Sequence, residues 1–321
     1  MATMKDVAKL AGVSVGSVSN VFNGVKVKKS TYDKVISAVK ELDYETNNLA
    51  RSFKLNHTNT IALIVPTIWH PFFSSIIFYI EEIAEKNGYH VFLCNSNGSA
   101  DNELSYIKML RKNKVDGIIA ITYTDIDSYV EGSLPFVSID RHFKDDISIV
   151  SSDNFEGGKL AAKKLSEKGA KTLLFVGSHN LRANETTKRR LGFETYCIDN
   201  HIDYYIIDLL EPHNNFTKDL KVLMEEHPEI DGIFAINDYV GLDIIDTLKQ
   251  LGKEILVDYQ LIGFDGIKMS RERGYLVSTI VQPVEEIAHQ AFEILIKQIN
   301  NPEYSEQKIL PIKFAEGGTT Y

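Results

Sequence analysis

Apolar positions recur at helical spacing through residues 1–60 and switch at Thr60 to unbroken apolar runs. Thr3-Met4-Lys5-Asp6 reads as a helix start, with Thr3 as cap and Asp6 reaching back in a capping box. Val7, Ala8, Leu10 and Ala11 form its apolar face, and Gly12 stops it. Ser14 can cap a second helix from Val15 to about Phe22, closed by Asn23-Gly24. Its apolar side carries Val18, Val21 and Phe22; Gly16 and Asn20 lie opposite, flanked by Ser17 and Ser19. A third helix spans about Thr31 to Leu42. Two short helices joined by a glycine-containing turn make a helix-turn-helix, which lays its second helix in the DNA major groove; a generic three-helix bundle is the competing reading.

Beyond Thr60, strands and helices alternate. Ile61-Ala62-Leu63-Ile64-Val65-Pro66 reads as a strand buried on both faces. The spacing then predicts a helix over 73–87, a strand over 90–94, a helix over 102–112 and strands over 117–121, 136–139 and 147–150. A second series repeats the order: strands over 173–177, 204–207, 233–236 and 261–263, with helices over 185–199, 216–226 and 239–251 between them. This is an α/β pattern of two doubly wound parallel-sheet subdomains. Ligands in such sheets bind beyond the carboxyl ends of the strands, so two facing subdomains make a cleft.

Composition narrows the classes. With 44% hydrophobic and 25% charged residues, the 321-residue chain is ordinary globular material and not a disordered one. The longest apolar stretch, near Phe72 to Ile80, meets Glu81 and Glu82 well short of a membrane span, and Met1 to Lys9 holds no apolar signal region. Cys94 and Cys197 are too few for a disulfide framework, so a cytoplasmic protein with no membrane partner is expected. Residues 1–60 hold nine Lys/Arg against five Asp/Glu, a charge of +4, whereas the remaining 26 and 39 give −13. A basic head on an acidic body suits a head that meets a polyanion. Gly12-Val13-Ser14-Val15-Gly16 matches the nucleophile-elbow pattern, but follows a helix where that elbow needs a strand. No dinucleotide fingerprint, phosphate loop or zinc-protease motif occurs, and the nine histidines lack metal-ligand spacing. No catalytic residue, metal or cofactor is therefore expected.

The run from Met4 through Ser19, followed by Val21-Phe22-Asn23-Gly24, Leu42-Asp43-Tyr44, Asn47 and Ala50-Arg51, resembles the head of the lactose-repressor (LacI/GalR) family of bacterial transcriptional regulators. The resemblance places base-reading positions on Val15, Gly16 and Asn20. The last is commonly Arg in the family; Arg grips guanine, whereas Asn pairs best with adenine, so a divergent operator is expected. Ser14, Ser17, Ser19 and Asn23 are then phosphate contacts. Asn47, Arg51 and Phe53 fall on the family's hinge helix, with Phe53 in place of the leucine wedged into the minor groove, or else packed against the core. Thr46 replaces the proline usual before Asn47.

The body resembles the family's effector core, which shares its fold with periplasmic sugar-binding proteins. The matching segments include Pro66 with His70-Pro71-Phe72-Phe73, Ile139-Asp140-Arg141, Arg190-Leu191-Gly192-Phe193, Asn237-Asp238, Ile262-Gly263-Phe264-Asp265 and Thr279-Ile280-Val281-Gln282-Pro283. Effector-contacting positions then fall on Phe72, Phe73, Asp140, Arg190, Asn237 and Asp265. Carboxylates, an amide and a guanidinium suit vicinal hydroxyls, and an aromatic ring suits a sugar face. Competing structural roles are a core position for Phe73, helix capping for Asp140 and Asn237, and an Arg190–Asp265 ion pair. Glu316-Gly317-Gly318-Thr319-Thr320 departs from the family's Glu-Arg-Gly-Thr-Thr ending.

The implied organisation is a DNA-binding head over 1–46, a hinge and linker over 47–59, a first effector subdomain over 60–153 with 284–309, and a second over 154–283 with 310–321. The implied function is a homodimeric repressor on double-stranded operator DNA, controlled by a sugar or sugar phosphate. A regulator governed by a partner protein, and a transport-type sugar-binding protein, are the alternatives.

Overall fold

The computed structural model describes residues 2–22, 25–44, 57–122, 124, 134–141, 147–180, 184–211, 216–268, 270 and 272–321. Two units separate, Met1–Thr58 and Asn59–Tyr321. No helix among the described residues is long and apolar enough to cross a membrane.

In the first unit, α1 (Met4–Ala11), α2 (Val15–Phe22) and α3 (Lys29–Glu41) form three short helices. Thr3 Oγ1 accepts the Asp6 N–H at 3.3 Å and Asp6 Oδ2 accepts the Thr3 N–H at 2.8 Å, closing the capping box. Gly12 at φ +65° ends α1, and Ser14 Oγ accepts the Ser17 N–H at 3.1 Å to start α2. Val7, Ala8 and Ala11 pack on Val18, Val21, Val35 and Ala38. The third helix starts two residues before its apolar spacing does, because Lys29 and Ser30 face solvent in its first turn.

The second unit holds two lobes, each a six-stranded sheet. The first lobe contains β1 (Thr60–Val65), α4 (Pro71–Lys86), β2 (His90–Asn95), α5 (Ala100–Lys112), β3 (Gly117–Ala120), β4 (Phe136–Ile139) and β5 (Ser148–Ser152). The second contains α6 (Asn154–Glu167), β6 (Thr172–His179), α7 (Thr187–Asp199), β7 (Asp203–Leu210), α8 (Thr217–Glu226), β8 (Gly232–Ala235), α9 (Asp238–Gln250), β9 (Gln260–Asp265) and β10 (Thr279–Val281). The chain then returns through α10 (Val284–Asn300) and β11 (Gln307–Leu310) to the first lobe and ends in the second with β12 (Lys313–Ala315).

Strand orders are β2-β1-β3-β4-β5-β11 and β7-β6-β8-β9-β10-β12, so the two lobes repeat one topology. Pairing is parallel throughout except for β12, which runs antiparallel to β10. In this correspondence β4 matches β9. Asp140 follows β4 and Asp265 ends β9, at φ +58° and +106°, backbone that ordinary side chains seldom adopt.

Both sheets are sandwiched. One face of the first packs on α4 and α10 through Ile76, Ile80, Ile287 and Leu295; the other packs on α5 through Ile107 and Leu110. The second lobe seats α8 and α9 on one face and α6 and α7 on the other. A cluster of Phe175, Phe193, Phe234 and Phe264 fills the latter layer, neighbouring ring centroids lying 5.5–6.4 Å apart. Each such ring contributes roughly 1.5–3 kcal/mol of burial, and Phe264 also supports the Arg189 guanidinium described next.

Candidate functional site

The carboxyl ends of the strands from both lobes meet around a cavity of about 500 Å³. From the first lobe its lining includes Pro66, His70, Phe72, Phe73, Glu103 and Asp140; from the second, Asn184, Arg189, Asn237, Asp265 and Gln282. The lobes touch here through Ser152 Oγ, which donates to Gln282 Oε1 at 2.8 Å, and through the Glu185 N–H, which donates to the Asp140 carbonyl at 3.2 Å. His70 meets Tyr239 edge-on at 4.9 Å between ring centroids.

Arg189 projects from α7 into the centre. Its Nε donates to Asn154 Oδ1 and its Nη1 to the Ile236 carbonyl, each at 2.7 Å. Its guanidinium lies 3.7 Å from the Phe264 ring centroid and 3.5 Å from Asp265 Oδ1, which also accepts Gln282 Nε2 at 2.7 Å. Burial raises the Asp265 pKa; Arg189, His70 and Gln282 pull against it. Behind this group, Asp238 accepts from Thr279 Oγ1 and from the Ile267 N–H at 2.6 Å, fixing the turn that aims Asp265.

Asp140 is fully buried, and its Oδ1 has no partner. Burial, with Glu185 and Asp265 adding to it and Arg189 opposing, lifts its carboxyl to about 7. Asn184 Nδ2 is likewise unpartnered, while its Oδ1 accepts from the Thr186 and Thr187 N–H groups at 3.1 and 3.3 Å. Glu103, also buried, accepts from Ser96 Oγ at 3.1 Å and from the hydroxyls of Thr122 and Thr124. His70 Nδ1 accepts the Phe72 N–H at 3.3 Å, which requires a neutral ring. Burial lowers the His70 pKa in the same sense, Arg189 reinforcing it against Asp265.

Of the six positions expected to contact an effector, Phe72, Phe73, Asp140, Asn237 and Asp265 line this cavity. Arg190 does not, and it makes no ion pair with Asp265. It points instead to Asp208 Oδ2 at 2.7 Å and Glu194 Oε1 at 3.2 Å, half-exposed on the outer side of α7. One residue turns a helix by 100°, so its neighbour Arg189 takes the inward direction. Asn237 serves additionally as the cap of α9, accepting the Val240 N–H at 2.8 Å. His70 and Gln282 fall within family-matching segments without being singled out there, whereas Glu103 and Asn184 carry no sequence signal beyond their positions at helix starts.

In the first unit, Ser14, Val15, Gly16 and Asn20 are exposed along α2, Ser17 and Ser19 are half-buried, and Val18 and Val21 face inward. A Cβ at Gly16 would meet only Ser14 Oγ, at 3.7 Å, so internal packing does not demand glycine there. Asn23, Asn47, Arg51 and Phe53 lie outside the described residues.

Residues 3–47 match the family described as bacterial regulatory proteins, lacI family, and residues 58–317 match the periplasmic binding proteins and sugar binding domain of the LacI family. The sucrose operon repressor of Streptococcus mutans is 35% identical over 319 residues, 99% of each chain. The ribose operon repressor of Halalkalibacterium halodurans is 32% identical, covering 100% of this chain and 97% of its own. A solved periplasmic binding protein/LacI transcriptional regulator from Alkaliphilus metalliredigens, complexed with D-xylulofuranose, is 32% identical with a TM-score of 0.70, over 82% of this chain and 99% of its own. A helix-turn-helix unit and a two-lobed cleft, matched by two family models over nearly the whole length, place this chain in the LacI family of bacterial regulatory proteins.

Proposed function

We propose that this chain is a homodimeric, cytoplasmic transcriptional repressor whose hold on operator DNA is set by a sugar-like effector in the cleft. The observation that carries the reading is one chain holding both parts: an exposed small-polar helix face over Ser14–Asn20, and a cleft with unpartnered buried polar atoms on Asp140 and Asn184. Relatives named as sucrose and ribose operon repressors support the same pairing, and speak for binding rather than catalysis.

Val15, Gly16 and Asn20 are the proposed base readers, with Ser14, Ser17, Ser19 and Asn23 on phosphates. Two heads in a dimer match a near-palindromic site, and exposed Phe78, Phe92 and Leu93 on α4 and β2 offer apolar surface to a second copy. Asn47, Arg51 and Phe53 are proposed to engage the centre of that site. Phe72, Phe73, Asp140, Asn237 and Asp265, with Arg189 rather than Arg190, are the proposed effector contacts. An effector that binds one arrangement of the lobes more tightly than another shifts the population, with coupling of typically ~1–3 kcal/mol.

Selection of bound duplexes from a random pool, with and without candidate sugars, tests the reading. A near-palindromic sequence whose retention changes with one sugar is the expected result; no enrichment under any condition refutes it.

A further inference from the structure

Helix N-termini are where proteins ordinarily hold anionic ligand groups, because their first backbone N–H groups lack partners. At four helix starts beside the described lining residues, the chain's own side chains already take first-turn N–H groups. At α4, Pro71 has no N–H and His70 takes that of Phe72. At α5, Ser99 Oγ accepts the Asn102 N–H at 3.4 Å and Glu103 adds a carboxylate to the first turn. At α7, Asn184 Oδ1 takes two N–H groups, and at α9 Asn237 takes that of Val240.

Charge points the same way. Among the described lining residues Glu103, Asp140, Glu211 and Asp265 face one cation, Arg189, which is committed to Asn154, Ile236 and Asp265 and stacked on Phe264. The buried side-chain atoms without a hydrogen-bond partner at the described lining residues are an acceptor, Asp140 Oδ1, and a donor, Asn184 Nδ2. The Asn184 amide cannot turn, because its oxygen is held by the start of α7. The backbone bond from Glu185 to Asp140 brings the two residues side by side across the cleft.

The geometry points to an uncharged polyhydroxylated ligand, with the phosphate ester of the same sugar excluded, and with a ligand hydroxyl donating to Asp140 Oδ1 and accepting from Asn184 Nδ2. This rests on the sugar-effector reading above. An ester would bring a dianion against these carboxylates and, among the described lining residues, meet no guanidinium free of other partners to offset its desolvation.

Titration calorimetry on the full chain with D-ribose, D-xylulose and sucrose, and with ribose 5-phosphate, xylulose 5-phosphate and sucrose 6-phosphate, tests it. At least one neutral sugar is expected to bind, with its ester at least 100-fold weaker. Asp140→Asn keeps the shape of the site, and Asn184→Asp keeps the oxygen that starts α7 while replacing the free donor. Each is expected to weaken that sugar at least 30-fold while circular dichroism remains native. An ester that binds as tightly as its parent overturns the exclusion but leaves the sugar-effector reading standing. A sugar held equally well by both variants overturns the clasp. If no sugar or ester binds although an operator is still selected, the proposal and the sugar-effector reading both fall.

Discussion

Gly158 on α6 and Gly192 on α7 face each other's helices at backbone contact. A Cβ on Gly158 would lie 1.9 Å from the Arg189 carbonyl oxygen, and one on Gly192 would lie 2.0 Å from the Phe155 carbonyl oxygen. The two helices thus cross at a distance that only glycine permits, and Arg189 belongs to that crossing. Gly192→Ala must push α7 outward, since the obstacle is backbone and not a flexible side chain. The expected loss is at or above the top of the ~1–3 kcal/mol range for overpacking, read as a lower urea midpoint, together with weaker effector binding as Arg189 shifts.

The tandem arginines give a paired comparison. Arg189→Ala leaves Asp265 and Asn154 short of a partner in a buried site and is expected to cost about 3–5 kcal/mol. Arg190→Ala removes a half-exposed guanidinium from Asp208, whose buried carboxylate keeps His179 at 3.1 Å, and a smaller loss of about 1–3 kcal/mol is expected. Equal losses in chemical denaturation would contradict the inward placement of Arg189.

Asp140 ties stability to pH. Its carboxyl sits near 7 in the folded chain and near the model-peptide value of 3.8 when unfolded. Between those values the folded state holds a proton that the unfolded state has released. Stability from this group is therefore full below about pH 4, declines as pH rises toward 7 and is level above it. Asp140→Asn removes the decline. Without ligand, the variant should exceed the parent at pH 8 by up to roughly 4 kcal/mol and converge with it near pH 4. A gap that widens on acidification would refute the assignment.

Asn20 is exposed on α2 where the family commonly carries arginine. Asn20→Arg should exchange an adenine preference for guanine at one base pair per half-site, about 1–3 kcal/mol of discrimination. Sequencing of selected duplexes reads this directly, and an unchanged consensus would remove Asn20 from the base readers.

Much of this architecture is legible in the residues. The capping box at Thr3 and Asp6, the unbroken run Ile61–Val65 and the strand–helix alternation each have one dominant local cause. Other parts depend on partners distant in sequence. The reading assigns no element to α6, where Gly157 and Gly158 weaken the helical signal because their smallness serves a neighbour: Cβ atoms there would meet Phe264 and the Arg189 carbonyl. Strands β10 and β12 are three residues long, too short for alternation to register. Helix α10 is likewise not among the expected elements, although Ile287, Ala291, Ile294 and Leu295 keep helical phase there. Choosing between Arg189 and Arg190 needed the start of α7, which the sequence places at Glu185 and the structure at Thr187. Gly317 is a comparable case. The family's arginine would put a Cβ 2.1 Å from the Val277 carbonyl group, so the backbone just past β12 lies against that of Val277 at a distance only glycine permits.

The duplicated topology sets like against like across the cleft. Asp140 and Asp265 occupy equivalent strand ends in the two lobes, and Asp265 disfavours ionisation of Asp140. Burial raises both carboxyls, and Arg189 opposes the rise at each. A guest of the kind proposed would meet two carboxyls, one from each lobe, whose charge is governed by one shared guanidinium. On the proposed effector contacts, substitutions at either aspartate or at the arginine would retune the response to the metabolite and leave the operator-reading residues of the head untouched.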